Sequence, residues 1–237
     1  MTSCKVVKLN PNKIVKFDGI INEIIQRKKD GRKYGSIEDI PLYIYVVKKE
    51  KNDYGVWYDV VIDAFRYVWS YSEENKAVKE SKHISLQIYR KDLNYTIGIF
   101  GTREYSDLFV KIINDMSDDE TIILPIIFDL DGKKEKIKQN FPEIKRFSVK
   151  NIMDPHEKRA SVSGLSLSRG HAWKRYVELY QGKLTRIIVK HRQMYISISE
   201  DGFIFCRRGI FKENKEQLVS EILMELEKLD VLKIIDN

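Results

Sequence analysis

Alternation between apolar and polar positions predicts antiparallel strands in the first half of the chain. A polar, charged connection at Ser70–Ser81 separates two early strands from a tight hairpin that turns at Asp92–Asn94. The strands predicted in this half are Leu42–Lys48, Val56–Trp69, His83–Arg90 and Tyr95–Gly101.

The second half shows the same period of two, interrupted by a Ser-rich stretch, Asp154–Gly170, that has no periodicity and is predicted to be a loop. A helical turn or two is expected at Lys133–Asn140. The strands predicted in this half are Thr121–Phe128, Lys145–Lys150, Leu184–Lys190, Met194–Ser199 and Phe203–Arg207.

Apolar residues recur at helical spacing in four places. One short helix is expected within residues 1–40, around Ile20–Ile25. Glu104–Met116 and a C-terminal helix from Lys215 to Leu229 follow the two strand groups. A fourth helix, His171–Tyr180, is predicted to end at Gly182, with Ser168 as its N-cap.

These elements predict an α+β fold built of antiparallel β-meanders that are each followed by a helix. We expect an N-terminal half at residues 1–118 and a basic C-terminal half at residues 119–237, which could pack as one unit. His83–Met116 and Leu184–Leu229 share the order of strands and then a helix. This order is consistent with a duplicated curved-sheet arrangement, although hairpins followed by helices are also common in unrelated α+β proteins.

Composition removes several classes of protein. Two cysteines, Cys4 and Cys206, are too few for a disulfide framework or a cysteine-based zinc site, so free thiols in a reducing compartment are expected. Apolar runs such as Ile122–Phe128 are far shorter than the ~20 residues that cross a bilayer. The four histidines lack metal-ligand spacing. We therefore expect a soluble cytoplasmic protein with no membrane contact, no metal and no cofactor.

The positive charge is concentrated in one part of the chain. Residues 145–192 contain twelve basic and three acidic residues, an excess of nine, whereas the net charge of the whole chain is +7. A concentrated positive field attracts polyanions, and nucleic-acid phosphate is the polyanion that basic proteins most often bind. The interpretation that this charge is only a solvated basic surface stays open.

Two elements in the basic stretch carry the candidate interface. The meander places basic, hydroxyl and aromatic side chains on one face, where aromatic rings can stack on bases unless helices cover them as core. The helix at His171 offers an N-terminal anion site after a Ser- and Gly-rich loop. We predict a continuous surface formed by Arg169, His171, Lys174, Arg175, Arg186, Lys190, Arg192, Tyr195 and Arg207.

One short motif raises the possibility of catalysis. Asp129-Leu130-Asp131-Gly132, directly after an apolar strand, resembles the first motif of the haloacid-dehalogenase-type phosphatases, which implies Asp129 as nucleophile and Asp131 as acid or base. Lys133 stands where that motif has Thr, so we expect a turn instead. Asp59 and Asp63 share a strand face but lie about 13 Å apart, too far for a shared metal.

The sequence therefore favours a nucleic-acid-binding protein, with DNA a better candidate than RNA, that contacts the phosphate backbone through its C-terminal half. One alternative is a metal-dependent nuclease or phosphoesterase. Another is a protein–protein interaction module in an intracellular complex, and a homodimer or a protein partner is left open.

Overall fold

A computed structural model describes residues 2–27, 30–37, 39–68, 76–91, 94–117, 121–154, 156–164, 167, 170–206 and 211–235. The fold of these residues is α+β, with many antiparallel strand pairs and five α-helices. Contacts divide the chain into two compact units, Val7–Leu124 and Met1–Val6 together with Pro125–Asn237. Two strands, β1 (Thr2–Leu9) and β7 (Ile123–Phe128), contribute residues to both.

The N-terminal unit places two helices against a sheet whose strands pair antiparallel in chain order. After β1 its elements are α1 (Ile14–Gln26), β2 (Arg32–Ile37), β3 (Ile40–Asn52), β4 (Gly55–Val68), β5 (Lys76–Lys91), β6 (Asn94–Gly101) and α2 (Arg103–Asp115).

The core of this unit lies between the helices and one face of the sheet. Phe17 on α1 and Phe109 on α2 belong to one hydrophobic cluster with alternate residues of the strands, among them Ile62, Leu86 and Ile99. The burial follows from period two in the strands and period 3.6 in the helices.

In the C-terminal unit, Thr2–Lys5 of β1 pairs with β12, and the sheet continues in the order β12, β11, β10, β8, β9. Two further strands, β13 and β7, pair with each other. The elements are β7 (Ile123–Phe128), α3 (Lys134–Asn140), β8 (Ile144–Lys150), β9 (Arg159–Ser163), α4 (His171–Trp173), β10 (Lys183–His191), β11 (Met194–Ser199), β12 (Phe203–Cys206), α5 (Phe211–Lys228) and β13 (Leu232–Ile234). A π-helical segment, Lys174–Leu179, continues α4.

One face of this second sheet is buried. Cross-strand partners Phe147, Ile187, Ile198, Ile204 and Cys4 form a continuous row on that face, and all are almost completely buried. The pairing of β10 with β8 shifts register between Leu184 and Arg186, so Leu184 and Ile187 are both buried although they are three positions apart.

Most predicted elements are present, with three local corrections. The predicted connection Ser70–Ser81 contains the beginning of β5, whose residues Lys76–Ser81 pair with Val68–Asp63 of β4. The predicted loop Asp154–Gly170 contains a strand, β9, that pairs along the whole of β8 from Lys150 to Arg146. The segment predicted to hold only one helix, residues 1–40, also holds β1 and β2. The turn predicted at Asp92–Asn94 lies partly outside the described residues. Arg207, at the end of the predicted strand Phe203–Arg207, lies outside them.

The described helices include none that is both long and apolar enough to span a membrane. Cys4 and Cys206 are free thiols, and both are buried.

Candidate nucleic-acid interface

The second face of the C-terminal sheet carries the basic side chains that alternate with the buried row. We call this surface the open face and define it on β8, β9, β10 and β11. Its basic members are Arg146, Lys150, Arg159, Lys183, Arg186 and Lys190, and its other members are Ser148, Ser161, Ser163, Ile188, Tyr195 and Ser197.

Three cations lie side by side across neighbouring strands of the open face. Lys150 on β8 is the direct cross-strand partner of Arg159 on β9 and of Lys183 on β10. Glu200 contacts two of them, forming an ion pair with Lys150 and another with Lys183 at 3.4 Å. Three cations beside one carboxylate leave this row with a net positive charge, and like charges directly opposite one another destabilise a sheet.

A polar groove of about 570 Å³ lies beside the cation row. Its lining includes the cations Lys150 and Arg159, the hydroxyl residues Ser148, Ser161 and Thr185, and the acidic residue Glu200. The Ser148 and Ser161 hydroxyls lie 3.2 Å apart, and the Thr185 hydroxyl donates to the Ser148 carbonyl. Ammonium, guanidinium and hydroxyl groups are the donors that bind phosphate oxygens.

A second groove of about 440 Å³ lies further along β8 and β9. Its apolar lining includes Ile188 and Phe205, and Tyr195 lies at its side. Arg146 also lines it, and the Arg146 Nε donates to the Ser163 hydroxyl at 2.6 Å. Both grooves therefore share the same two strands of the open face.

The predicted sheet residues lie on this face with different surroundings. The Arg186 guanidinium is 5.4 Å from the centre of the Phe205 ring, a cation–π contact. Lys190 is 3.5 Å from Glu143. Tyr195 keeps 49% of its surface exposed, so it is not part of the core. Phe203 is 1% exposed, so its ring is closed to a ligand.

The helix residues belong to the opposite side of the unit, which corrects the prediction of one continuous surface. Trp173 packs edge-on against Phe147 at 5.3 Å, and Phe147 belongs to the buried row. Because the helix covers the buried face, its exposed residues His171, Lys174 and Arg175 point away from the sheet. Strand alternation and helix packing thus separate residues that are close in sequence.

Of the other predicted positions, Arg192 has an acidic partner, the helix N-cap is corrected, and the rest lie outside the described residues. Arg192 forms an ion pair with Glu221 of α5, which also contacts His191 at 3.0 Å. Gly170, not Ser168, is the residue that precedes α4 as its N-cap. Ser168, Arg169 and Arg207 lie outside the described residues.

The sequence-based hypothesis missed four basic residues of the open face: Arg146, Lys150, Arg159 and Lys183. The sequence predicts a loop at Arg159 and its neighbours, whereas these residues form β9 and pair with β8. The signal was present, because Arg159, Ser161 and Ser163 alternate with Ala160 and Val162, a short period-two pattern.

Asp129 and Asp131 stabilise a turn. The Asp129 carboxylate accepts from the Gly132 N–H at 3.0 Å and forms an ion pair with Lys233. Burial acts to raise the pKa of Asp129, but these two hydrogen bonds hold that pKa below its usual value. Asp131 accepts from the Leu184 N–H at 3.1 Å. Both carboxylates therefore have local structural partners.

Asp59 and Asp63 also have separate partners. Asp59 accepts from the Trp57 indole and the Ser85 hydroxyl, and Asp63 accepts from the Ser81 hydroxyl. Within the part of the chain that the structure describes, no group of three or more His, Cys, Asp or Glu side chains is arranged to hold a metal ion.

Comparison of the sequence with models of known protein families finds no match, and comparison with curated proteins finds no significant one either.

Proposed function

We propose that the protein binds nucleic acid by contacting phosphates through the open face of its C-terminal sheet. The observation that carries the proposal is the row formed by Arg159, Lys150 and Lys183. Bound phosphate offsets the mutual repulsion of these cations, which gives a polyanion a favourable contact that a neutral ligand lacks.

The extent of the positive surface favours a polymer over a small phosphate ester. Basic residues occur on β9, β8 and β10, and Tyr195 extends the face to β11. With a strand spacing of about 4.8 Å, four strands span about 14 Å, which is more than one phosphate group covers. Phosphate contacts of this kind carry little sequence information, so the proposed binding is largely independent of sequence. DNA remains a better candidate than RNA in this proposal.

Paired double variants test which surface binds. Arg159→Gln with Arg186→Gln removes two charges from the open face, and neither arginine forms an ion pair with a described residue. Lys174→Gln with Arg175→Gln removes the same charge from the helix side. The measurement is the affinity for a labelled 20-nucleotide single strand and a 20-base-pair duplex at several salt concentrations.

The open-face variant should lower the log–log salt slope by about 1.4 for the single strand and about 1.8 for the duplex, because each lost phosphate contact removes about 0.7 or 0.9 of a counterion. The helix-side variant should leave both slopes unchanged. The opposite pattern would move the interface to the helix, and salt-independent or absent binding by the unmodified protein would refute the proposal.

The remaining sequence-based hypotheses stay predictions. Mg²⁺-dependent cleavage of labelled DNA would support the nuclease alternative, and phosphatase activity lost on Asp129→Asn would support the phosphoesterase one. The order β5, β6, α2 resembles the order β10, β11, β12, α5, which is the pattern that a duplication would leave. A protein partner or a homodimer, and a cytoplasmic location, are likewise predictions.

A further inference from the structure

We infer that the apolar groove at Tyr195 binds one unpaired base, which makes single-stranded nucleic acid the preferred ligand of the open face. This inference rests on the proposed function and adds a ligand class to it. Its basis is the contrast between two neighbouring grooves on one sheet face, one polar and one apolar.

The lining of the apolar groove suits a base. Ile188 and Phe205 provide an apolar surface, and Tyr195 provides a ring that is half exposed to solvent. Ser163 and Ser197 add hydroxyl groups that can pair with the polar edge of a base. A volume of about 440 Å³ lies within the range of small-ligand pockets, which is about 300–1,000 Å³.

Charge at the rim complements the phosphates that flank a base. Lys145 and Arg146 both line the apolar groove. Arg146 is on β8 two residues from Ser148, which lines the polar groove, so both grooves lie along one strand. A chain with its base beside Tyr195 can therefore continue past Arg146 towards Lys150 and Arg159.

Stacking in this groove discriminates against a duplex. A paired base already has both faces covered by its neighbours, and exposing one costs a few kcal/mol of unstacking and unpairing. A single strand can splay a base onto an aromatic ring, and such stacking tolerates any base identity. The cation row can contact the phosphates of a single strand or of a duplex, whereas the apolar groove stabilises only the bound single strand.

The test measures the affinities of the unmodified protein, Tyr195→Ala and Tyr195→Phe for three probes at fixed salt. The probes are a 20-nucleotide oligothymidylate, the same strand with abasic sites in place of its bases, and a 20-base-pair duplex. Thermal unfolding of each variant establishes that it is folded, and the exposed position of Tyr195 makes a large loss of stability unexpected.

The unmodified protein should bind oligothymidylate more tightly than the duplex and the abasic strand. Tyr195→Ala should weaken oligothymidylate binding roughly 5- to 150-fold, leave the salt slope unchanged, and leave duplex and abasic binding unaffected. Tyr195→Phe keeps the ring and should retain the affinity.

Equal affinity of Tyr195→Ala and the unmodified protein for oligothymidylate would overturn the inference alone, provided that salt-dependent binding persists. Equal weakening on all three probes would do the same, because it would assign Tyr195 to phosphate contacts. Absence of binding to every probe would overturn the proposed function and the inference with it.

Discussion

Asp63 on β4 shows how one side chain organises its surroundings. Its carboxylate is almost completely buried and accepts from the Ser81 hydroxyl at 2.9 Å and the Tyr43 N–H at 3.1 Å. Lys79 Nζ lies 2.8 Å away. Asp63 thus satisfies donors on both neighbouring strands, and its negative charge has a cation beside it.

Replacing Asp63 with Ala should lower the free energy of unfolding by about 2–4 kcal/mol, because buried donors lose their acceptor. Lys79 is one-third exposed, so water screens its ion pair with Asp63. The lost ion pair therefore contributes less to this decrease in unfolding free energy than the lost hydrogen bonds do. Asp59→Ala, on the same strand face but more exposed, is the matched control and should cost about 1 kcal/mol. Urea denaturation measures both, and equal losses would contradict the role given to Asp63.

Cys206 provides a second test at the residue scale. Burial raises the pKa of its thiol from 9.0 to about 12. A raised pKa in the folded state means that this contribution to stability is complete below pH 9 and is lost as the pH rises towards 12. The unfolding free energy should therefore fall less over this window in Cys206→Ala than in the unmodified protein.

Thiol labelling at neutral pH is an independent test of the burial of Cys206. The thiolate is the reactive form, so Cys206 should react with an alkylating reagent only as fast as the protein opens. Rapid labelling under native conditions would contradict the buried position.

At the scale of elements, the segment after α4 shows why the sequence predicts the helix but not its end. The predicted helix ends in a π-helical turn, with Tyr180 N–H donating to the Arg175 carbonyl at 2.9 Å. Gln181, not Gly182, adopts the left-handed conformation, at φ 50°. Gly182 is needed for a different reason, since a Cβ there would lie 2.7 Å from the Tyr176 carbonyl oxygen.

Gly182→Ala should therefore destabilise the protein by about 1–3 kcal/mol through overpacking against backbone. Gln181→Gly should range from neutral to a gain of about 1 kcal/mol, because glycine adopts the left-handed region without strain but loses more chain entropy. Thermal unfolding distinguishes them, and a harmless Gly182→Ala would show that the backbone there can shift.

The strands of the C-terminal unit also differ in how well the local sequence predicts them. Met194–Ser199 is predictable because Met194, Ile196 and Ile198 occupy alternate positions along the strand. β9 is only five residues long, and its inward positions hold Ala160 and Val162, which give a weak apolar signal. Its pairing with β8 is a long-range property that no local pattern encodes. The sequence therefore does not predict that Arg159 lies beside Lys150 on the sheet.

At the scale of the whole molecule, the charge of the C-terminal unit is divided between two faces. The sequence shows the excess of basic residues between positions 145 and 192, but it does not show which face of the unit each of them lies on. Lys174 and Lys183 are nine residues apart in the chain, yet one is on the helix that covers the buried face and the other is on the open face. The packing of Trp173 on Phe147 places the helix on the buried face and so establishes this separation.

Lysine footprinting tests most directly whether the open face binds nucleic acid. The protein is acetylated with and without a saturating 20-nucleotide single strand, and the modification of each lysine is measured by mass spectrometry. We predict that the strand protects Lys150, Lys183 and Lys190 and leaves Lys174 as reactive as before. Protection of Lys174 without protection of the open-face lysines would contradict the account.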